Sequence, residues 1–237
     1  PTDVKPNEPV PNVPGYRPTV PTVTPDKPTE DTPVIYNQVQ KADLTIVDQD
    51  NNNQQIIVDG VTTKFNADGI KDENIVFTGT EAAQAALEAR GYEFVSSNFT
   101  SGTKFDDDAN TDQHFVIVMK HGQQPVTPTD PGKPGEPINP NDPDGPKYPD
   151  GSDQVTKNVT RTIQYVDENG DTVSSSVEQP VHFTAQGILD KVTGQWITPL
   201  TWSGSQAVAS VKSPVIAGYH LVSVDRDTAG NDVAGVT

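Results

Sequence analysis

The residues of this chain with the most chemical potential are oxygen donors set close together. Asp48, Asp50, Asn52 and Asp59 fall at positions 1, 3, 5 and 12 of an EF-hand-like frame, with the Gln54 carbonyl at 7. The frame is imperfect: Asn53 stands where a glycine belongs, and it closes on Asp instead of a bidentate Glu. Asp106, Asp107, Asp108, Asn110 and Asp112 make a second oxygen-rich loop. Calcium is therefore the one cofactor suggested, set against the plainer reading that Asp/Asn loops are hairpin turns kept soluble by charge. The histidines are His114, His121, His182 and His220. None stands in an HxH or HxxxH arrangement with a carboxylate at useful spacing, so they do not form a metal triad. His114 and His121 read as surface residues at the two ends of a strand. A nucleophile elbow is missing, and Ser203-Gly204-Ser205 reads as a turn, so the chain is not read as an enzyme.

Aromatic rings offer a second chemistry. Trp196, Trp202, Tyr165 and Tyr219 could stack on the C–H face of a sugar ring. Trp196 is retained as a ligand residue, whereas Trp202 reads better as core in a domain poor in large apolar residues.

Composition limits the partners. The 237 residues carry a formal charge of −17, with 32% hydrophobic and 6% aromatic content. Such a surface repels nucleic-acid phosphates and anionic membranes. With no cysteine, neither disulfides nor thiolate metal sites can form. No apolar run reaches the roughly 18 residues of a membrane span.

The elements that must position these side chains fall into two units separated by proline. Residues 1–38 carry prolines among Thr, Val, Asp and Glu, and read as a polyproline spacer or a disordered tail. Residues 39–122 form the first domain. It opens with a strand at Ala42–Val47, a polar turn at Asp48–Gln54 and a second strand at Gln55–Phe65 with a bulge at Gly60. The alanine-rich Glu81–Arg90 segment is a helix, with capping-box spacing from Thr78 to Glu81 and Gly91 as its stop. Strands at Tyr92–Ser97 and His114–His121 follow. This ββαββ order predicts a β-grasp, with its first and last strands parallel in the centre.

Residues 123–153 are rich in Pro, Gly and Asp and read as a linker; 154–237 make the second domain. Val159–Val173 alternates apolar and polar positions across Asn169-Gly170, the pair that favours positive φ at both central positions of a hairpin turn. Pro180 implies an edge or a bulge in the return strand. A helical turn is expected at Gln206–Val211, a strand at Val215–Val224, and no strand from Asn231–Thr237. Ala217–Val222 loosely parallels Ala89–Val95, and Leu44–Asn52 parallels Ile163–Asp171, as distant internal copies would.

The Tyr165-Val166-Asp167 and Asn169-Gly170 hairpin, followed by Ser213-Pro214-Val215-Ile216-Ala217-Gly218-Tyr219, resembles the mucus-binding (MucBP/Mub-type) repeats of Gram-positive, lactobacillus-like surface adhesins. The resemblance implies an α+β protein: two ubiquitin-like β-grasp domains in tandem, elongated, with Pro-rich linkers, and the second cut short at its C-terminus. It also implies a monomeric, non-catalytic module at the cell surface, anchored to the cell wall through other parts of a larger repeat protein, that binds mucin glycoproteins or their glycans in a multivalent array. The first unit is similar as well to immunoglobulin-binding β-grasp domains. That likeness implies an edge-strand and helix site at Gln55, Ile57, Asp59, Val61, Glu81, Gln84 and Glu88. A passive stalk repeat is the third alternative. Isopeptide donors at Lys157, Lys191 or Lys212 have little support.

Overall fold

The computed structural model describes residues 7–25, 27, 29–224 and 232–236, in two units, Pro1–Gly122 and Gln123–Thr237.

The first unit begins inside the supposed spacer. Short strands β1 (Glu8–Pro9) and β3 (Thr22–Val23) pair with each other, and β2 (Tyr16–Pro18) lies between them in sequence. β2 pairs antiparallel with the start of β4 (Tyr36–Asp48) through Tyr16↔Gln38 and Pro18↔Tyr36. The spacer reading is therefore corrected over these residues: proline at a strand end sacrifices no ladder donor and does not exclude pairing. Arg17 fixes the strand further, donating from Nη1 to Glu73 Oε2 at 2.7 Å and from Nη2 to Asp68 Oδ2 at 3.3 Å. Prolines 1, 6 and 28 lie outside the described residues.

Along β4 the even positions Gln40, Ala42, Leu44 and Ile46 are buried while Lys41, Asp43 and Thr45 are not, the period-2 signature of a sheet with one covered face. After a 3₁₀ turn (Gln49–Asn51) come β5 (Gln54–Gln55) and β6 (Lys64–Ile70), both antiparallel to β4. The expected single strand Gln55–Phe65 is not formed. Gly60 adopts φ +75° and closes a Val58–Val61 bridge, so the chain doubles back before β6 begins. Helix α1 (Thr80–Ala89) buries Ala83 and Leu87, one turn apart. Its N-cap is Gly79 at φ +93° with no side-chain cap, so the capping box expected from Thr78 does not form. β7 (Tyr92–Ser97) and β8 (Gln113–His121) complete the unit. β8 runs parallel to β4 from Ala42↔Gln113 to Asp48↔Met119, and β7 pairs antiparallel with β8. The sheet order β6-β4-β8-β7 thus has the first and last main strands side by side. Leu44, Ile46, Leu87 and Met119 are fully enclosed.

The second unit departs from expectation. β9 (Gln123–Val126), β10 (Thr156–Val166), β11 (Thr172–Asp190) and β12 (Trp196–Trp202) form one antiparallel sheet, and no helix occurs among its described residues. The sequence-based expectation of a second β-grasp, and of two alike copies, is corrected accordingly. β11 pairs with β10 over its first half, then with β12 and β9 over its second. Pro180 sits in the first half, opposite Thr160, where β10 is its only strand neighbour.

The supposed linker 123–153 is folded. Val126 and Ile138 pack with Val155 and Leu189 as a core, against which Tyr148, Trp196 and Leu200 lean. Its prolines occupy positions that only accept: Ile138 N–H donates to the Pro146 carbonyl at 2.9 Å, and Ser152 Oγ to the Pro149 carbonyl at 2.8 Å. The hairpin turn is also different in kind. Asp167 Oδ1 accepts from the Asn169 and Asp171 amides, both at 2.9 Å, and only Gly170 takes positive φ, at +88°. An Asx turn with a left-handed glycine replaces the expected pair of left-handed residues.

Residues 213–224 form no strand; Val215 and Val222 are exposed, and Tyr219 N–H donates to Ile216 O in a turn. Val208 and Val211 make no helical turn. They bridge instead to Val236 and Val233, giving the terminal segment a partner the sequence did not suggest. Asn231 and Thr237 lie outside the described residues.

Candidate functional site

The first unit carries a cleft of ≈ 320 Å³ between α1 and the doubled-back segment before β6, lined by Gly60, Val61, Thr62, Thr78 and Ala86, among others. Alanines and glycines make it: with no side chain beyond Cβ on this face of the helix, the segment cannot close against it. Four residues beyond Ala86, on the same helix face, Arg90 reaches across and donates from Nη2 to the Asp59 carbonyl at 3.0 Å. Its Nη1 is buried without a hydrogen-bond partner. A buried N–H of a guanidinium without an acceptor is costly, but Arg90 is not among the residues that line the cleft.

The residues expected on the edge strand and helix are distributed around this cleft unevenly. Val61 lines it. Gln55 turns inward and donates to Thr63 Oγ1 at 3.0 Å, while Ile57 is 80% exposed. Asp59 contributes its carbonyl to Arg90. Glu81 lies in the first helical turn, and Gln84 donates to Glu88 Oε1 at 3.0 Å. The continuous edge from Gln55 to Thr63 does not exist. Composition points to the cleft, since Ala82, Ala83 and Ala86 leave a helix face with nothing to fill a gap.

The oxygen-rich frames come apart in the fold. Asp48 Oδ1 accepts from the Asp50 amide at 2.9 Å, and Asp48 Oδ2 lies 3.0 Å from His121 Nε2. Asp50 Oδ2 accepts from the His121 amide at 2.7 Å. Asn52 is exposed in a left-handed turn at φ +54°, and Asp59 does not belong to this group. His121 is thus no surface residue: its side chain is 14% exposed. His114, by contrast, is exposed and sits 2.7 Å from Asp43 Oδ2.

In the second loop Asp106 and Asp108 each accept from the amide two residues on, and Asp107 pairs with Lys71 at 2.8 Å. The Thr111 hydroxyl, then the Asn110 amide, hold Asp108 below the usual carboxylate range. The Lys71 hydrogen bond does the same to Asp107, and is returned in a raised Lys71. Asp106 and Asp108 are thus occupied by the loop itself and Asp107 by Lys71.

In the second unit the two tryptophans exchange their expected roles. Trp196 leans on the Val126–Leu189 core, and Trp202 on edge strand β12 is 44% exposed. Register explains it: Trp196 lies opposite enclosed Leu189, next to Gly187, where a Cβ would stand 2.8 Å from the indole. Tyr165 is half-buried and Tyr219 exposed. Among the described residues no helix is long and apolar enough to cross a membrane.

A mucin binding domain family matches residues 40–121, which hold the mixed sheet and the cleft, and a Muc B2-like domain family matches residues 151–233. None of the curated proteins compared with the chain matches it. Among solved structures, the type 2 repeat of the mucus binding protein MUB from Lactobacillus reuteri is 30% identical over 76% of this chain and 85% of that one, with a TM-score of 0.40. The crystal structure of Mub-RV is 26% identical, covers 83% of this chain and 89% of that chain, and has a TM-score of 0.52. Matched in both units by these domain families and 30% identical to a MUB repeat whose length it largely spans, the chain belongs to the Mub-type mucus-binding repeats.

Proposed function

We propose that this chain is a non-catalytic adhesion module of a bacterial surface protein that binds mucin glycans in the first-unit cleft, and that the first unit is a β-grasp. The observation that carries the reading is the cleft itself, lying within the residues matched as a mucin binding domain. Its alanine and glycine floor offers methyl and Cα–H surface to the apolar side of a sugar ring. Thr62 and Thr78 supply hydroxyls at its edge. A single cleft this open gives weak binding, and repeats joined in one parent protein, anchored to the cell wall, raise it through effective concentration.

The test is binding of the full chain to immobilised mucin before and after deglycosylation, with Ala86→Gln to fill the cleft. Native mucin is expected to bind, and both deglycosylation and Ala86→Gln to abolish binding. Equal binding to bare mucin polypeptide, or undiminished binding by Ala86→Gln, would overturn the reading.

Immunoglobulin recognition by strand addition at Gln55–Thr63 loses its geometric basis, because that stretch folds back on itself.

A further inference from the structure

We infer that Asp48, Asp50 and His121 form a binding site for a divalent transition metal of the zinc class. One donor atom from each lies within 4.8 Å of the others. His121 Nε2 and Asp48 Oδ2 are 3.0 Å apart. Two ligands of one tetrahedral ion, each about 2.0–2.1 Å from it, stand roughly 3.3 Å apart, so Asp48 and His121 are already near that spacing. The exposed Asp50 carboxylate, within 4.8 Å of both, has to swing in to complete the set.

The group is more than an acidic loop. Its nitrogen donor comes from the far end of β8, brought to Asp48 by the parallel pairing that sets Asp48 beside Met119. The Asp48 and His121 side chains are 7% and 14% exposed, whereas Asp50 is exposed and gives the entry side. Supporting contacts already hold each donor in place. The Asp50 amide binds Asp48, the His121 amide binds Asp50, and the Tyr92 ring stands edge-on to the imidazole at 5.4 Å.

The imidazole also decides the class of metal. Calcium wants about six to eight oxygens. The frame that would supply them is short of a carboxylate, since Asp59 stands outside the group. One nitrogen and two carboxylates suit zinc, copper or nickel instead. On binding, Nε2 and Oδ2 both bond the ion and the proton between them passes to solvent. Three protein donors leave a fourth position for water or for a donor from a partner.

The test titrates the full chain with zinc chloride by calorimetry, and with cobalt(II) followed by its visible absorption. About one equivalent of zinc is expected, with the intense cobalt bands of a four-coordinate site. Calcium is expected to give no heat. His121→Gln should abolish binding and Asp50→Asn weaken it by about tenfold or more. His114→Gln, at the opposite end of β8, should leave it unchanged. Asp50→Asn alters an exposed carboxylate and so keeps the test valid if His121→Gln misfolds, which circular dichroism would show. No zinc bound, calcium bound as well as zinc, Asp50→Asn equal to wild type, or loss on His114→Gln would each overturn the inference.

Discussion

Leu44 and Leu189 are both fully enclosed, and by different means. Around Leu44 a mixed sheet is covered by one helix, so enclosure comes from regular elements whose periodicity marks them out. Around Leu189 the cover is the Pro- and Gly-rich stretch 127–153, which has no long element and contributes Ile138 and Ser152 to the interior. A sheet face can be closed by a loop if that loop satisfies its own backbone, and prolines help by removing donors that would otherwise need partners. The contrast shows that apolar spacing detects one kind of core and composition conceals the other.

The comparison breaks most visibly if the two interiors fail together. Leu44→Ala and Leu189→Ala should each cost roughly 2–5 kcal/mol. Both tryptophans lie in the second unit, so indole fluorescence during urea unfolding reports that unit alone. Leu189→Ala is expected to shift the fluorescence midpoint. Leu44→Ala should leave it in place and shift the far-ultraviolet dichroism of α1. A fluorescence shift with Leu44→Ala would show that the units do not unfold separately.

A smaller effect sharpens the account of the loop-covered core. At Gly187 a Cβ would stand 2.8 Å from both the Thr198 carbonyl and the Trp196 ring. Gly187→Val should therefore cost about 1–3 kcal/mol by forcing the indole off the sheet. Thermal unfolding followed by tryptophan emission checks this, and an unchanged melting temperature would mean Trp196 is not seated there.

The smallest effect lies at the hairpin. Backbone N–H groups, first that of Asp171 and then that of Asn169, hold the Asp167 carboxyl below the usual carboxylate range. With the folded value below the unfolded one, the contribution is full above the ordinary carboxylate pKa and disappears as pH falls through the folded value. Relative to its intrinsic rate, amide exchange at Asp171 should quicken on acidification through that range. In Asp167→Asn the same exchange should be insensitive to pH beyond its intrinsic chemistry.

What could be read in advance follows the same division. Tyr92–Ser97 and the helix near Glu81–Arg90 were evident because a single residue pattern repeats inside each. The closing Asp48–His121 contact was not, since it joins residues far apart in sequence through a parallel pairing that no local spacing encodes. The exchange of roles between Trp196 and Trp202 turns on register against β11, and a register is fixed only once the partner strand is known. Strand β2 was hidden by its proline, whereas the small residues Ala82, Ala83 and Ala86 do mark the helix face that lines the cleft.

The side-by-side course of β4 and β8 has a mechanical consequence. Were the first unit pulled by its two ends, Tyr16–Pro18 would have to leave the start of β4 before the load reached the β4–β8 pair. Because these neighbours run in the same direction, that load acts along the strands and strains their shared rungs simultaneously, instead of unzipping them singly.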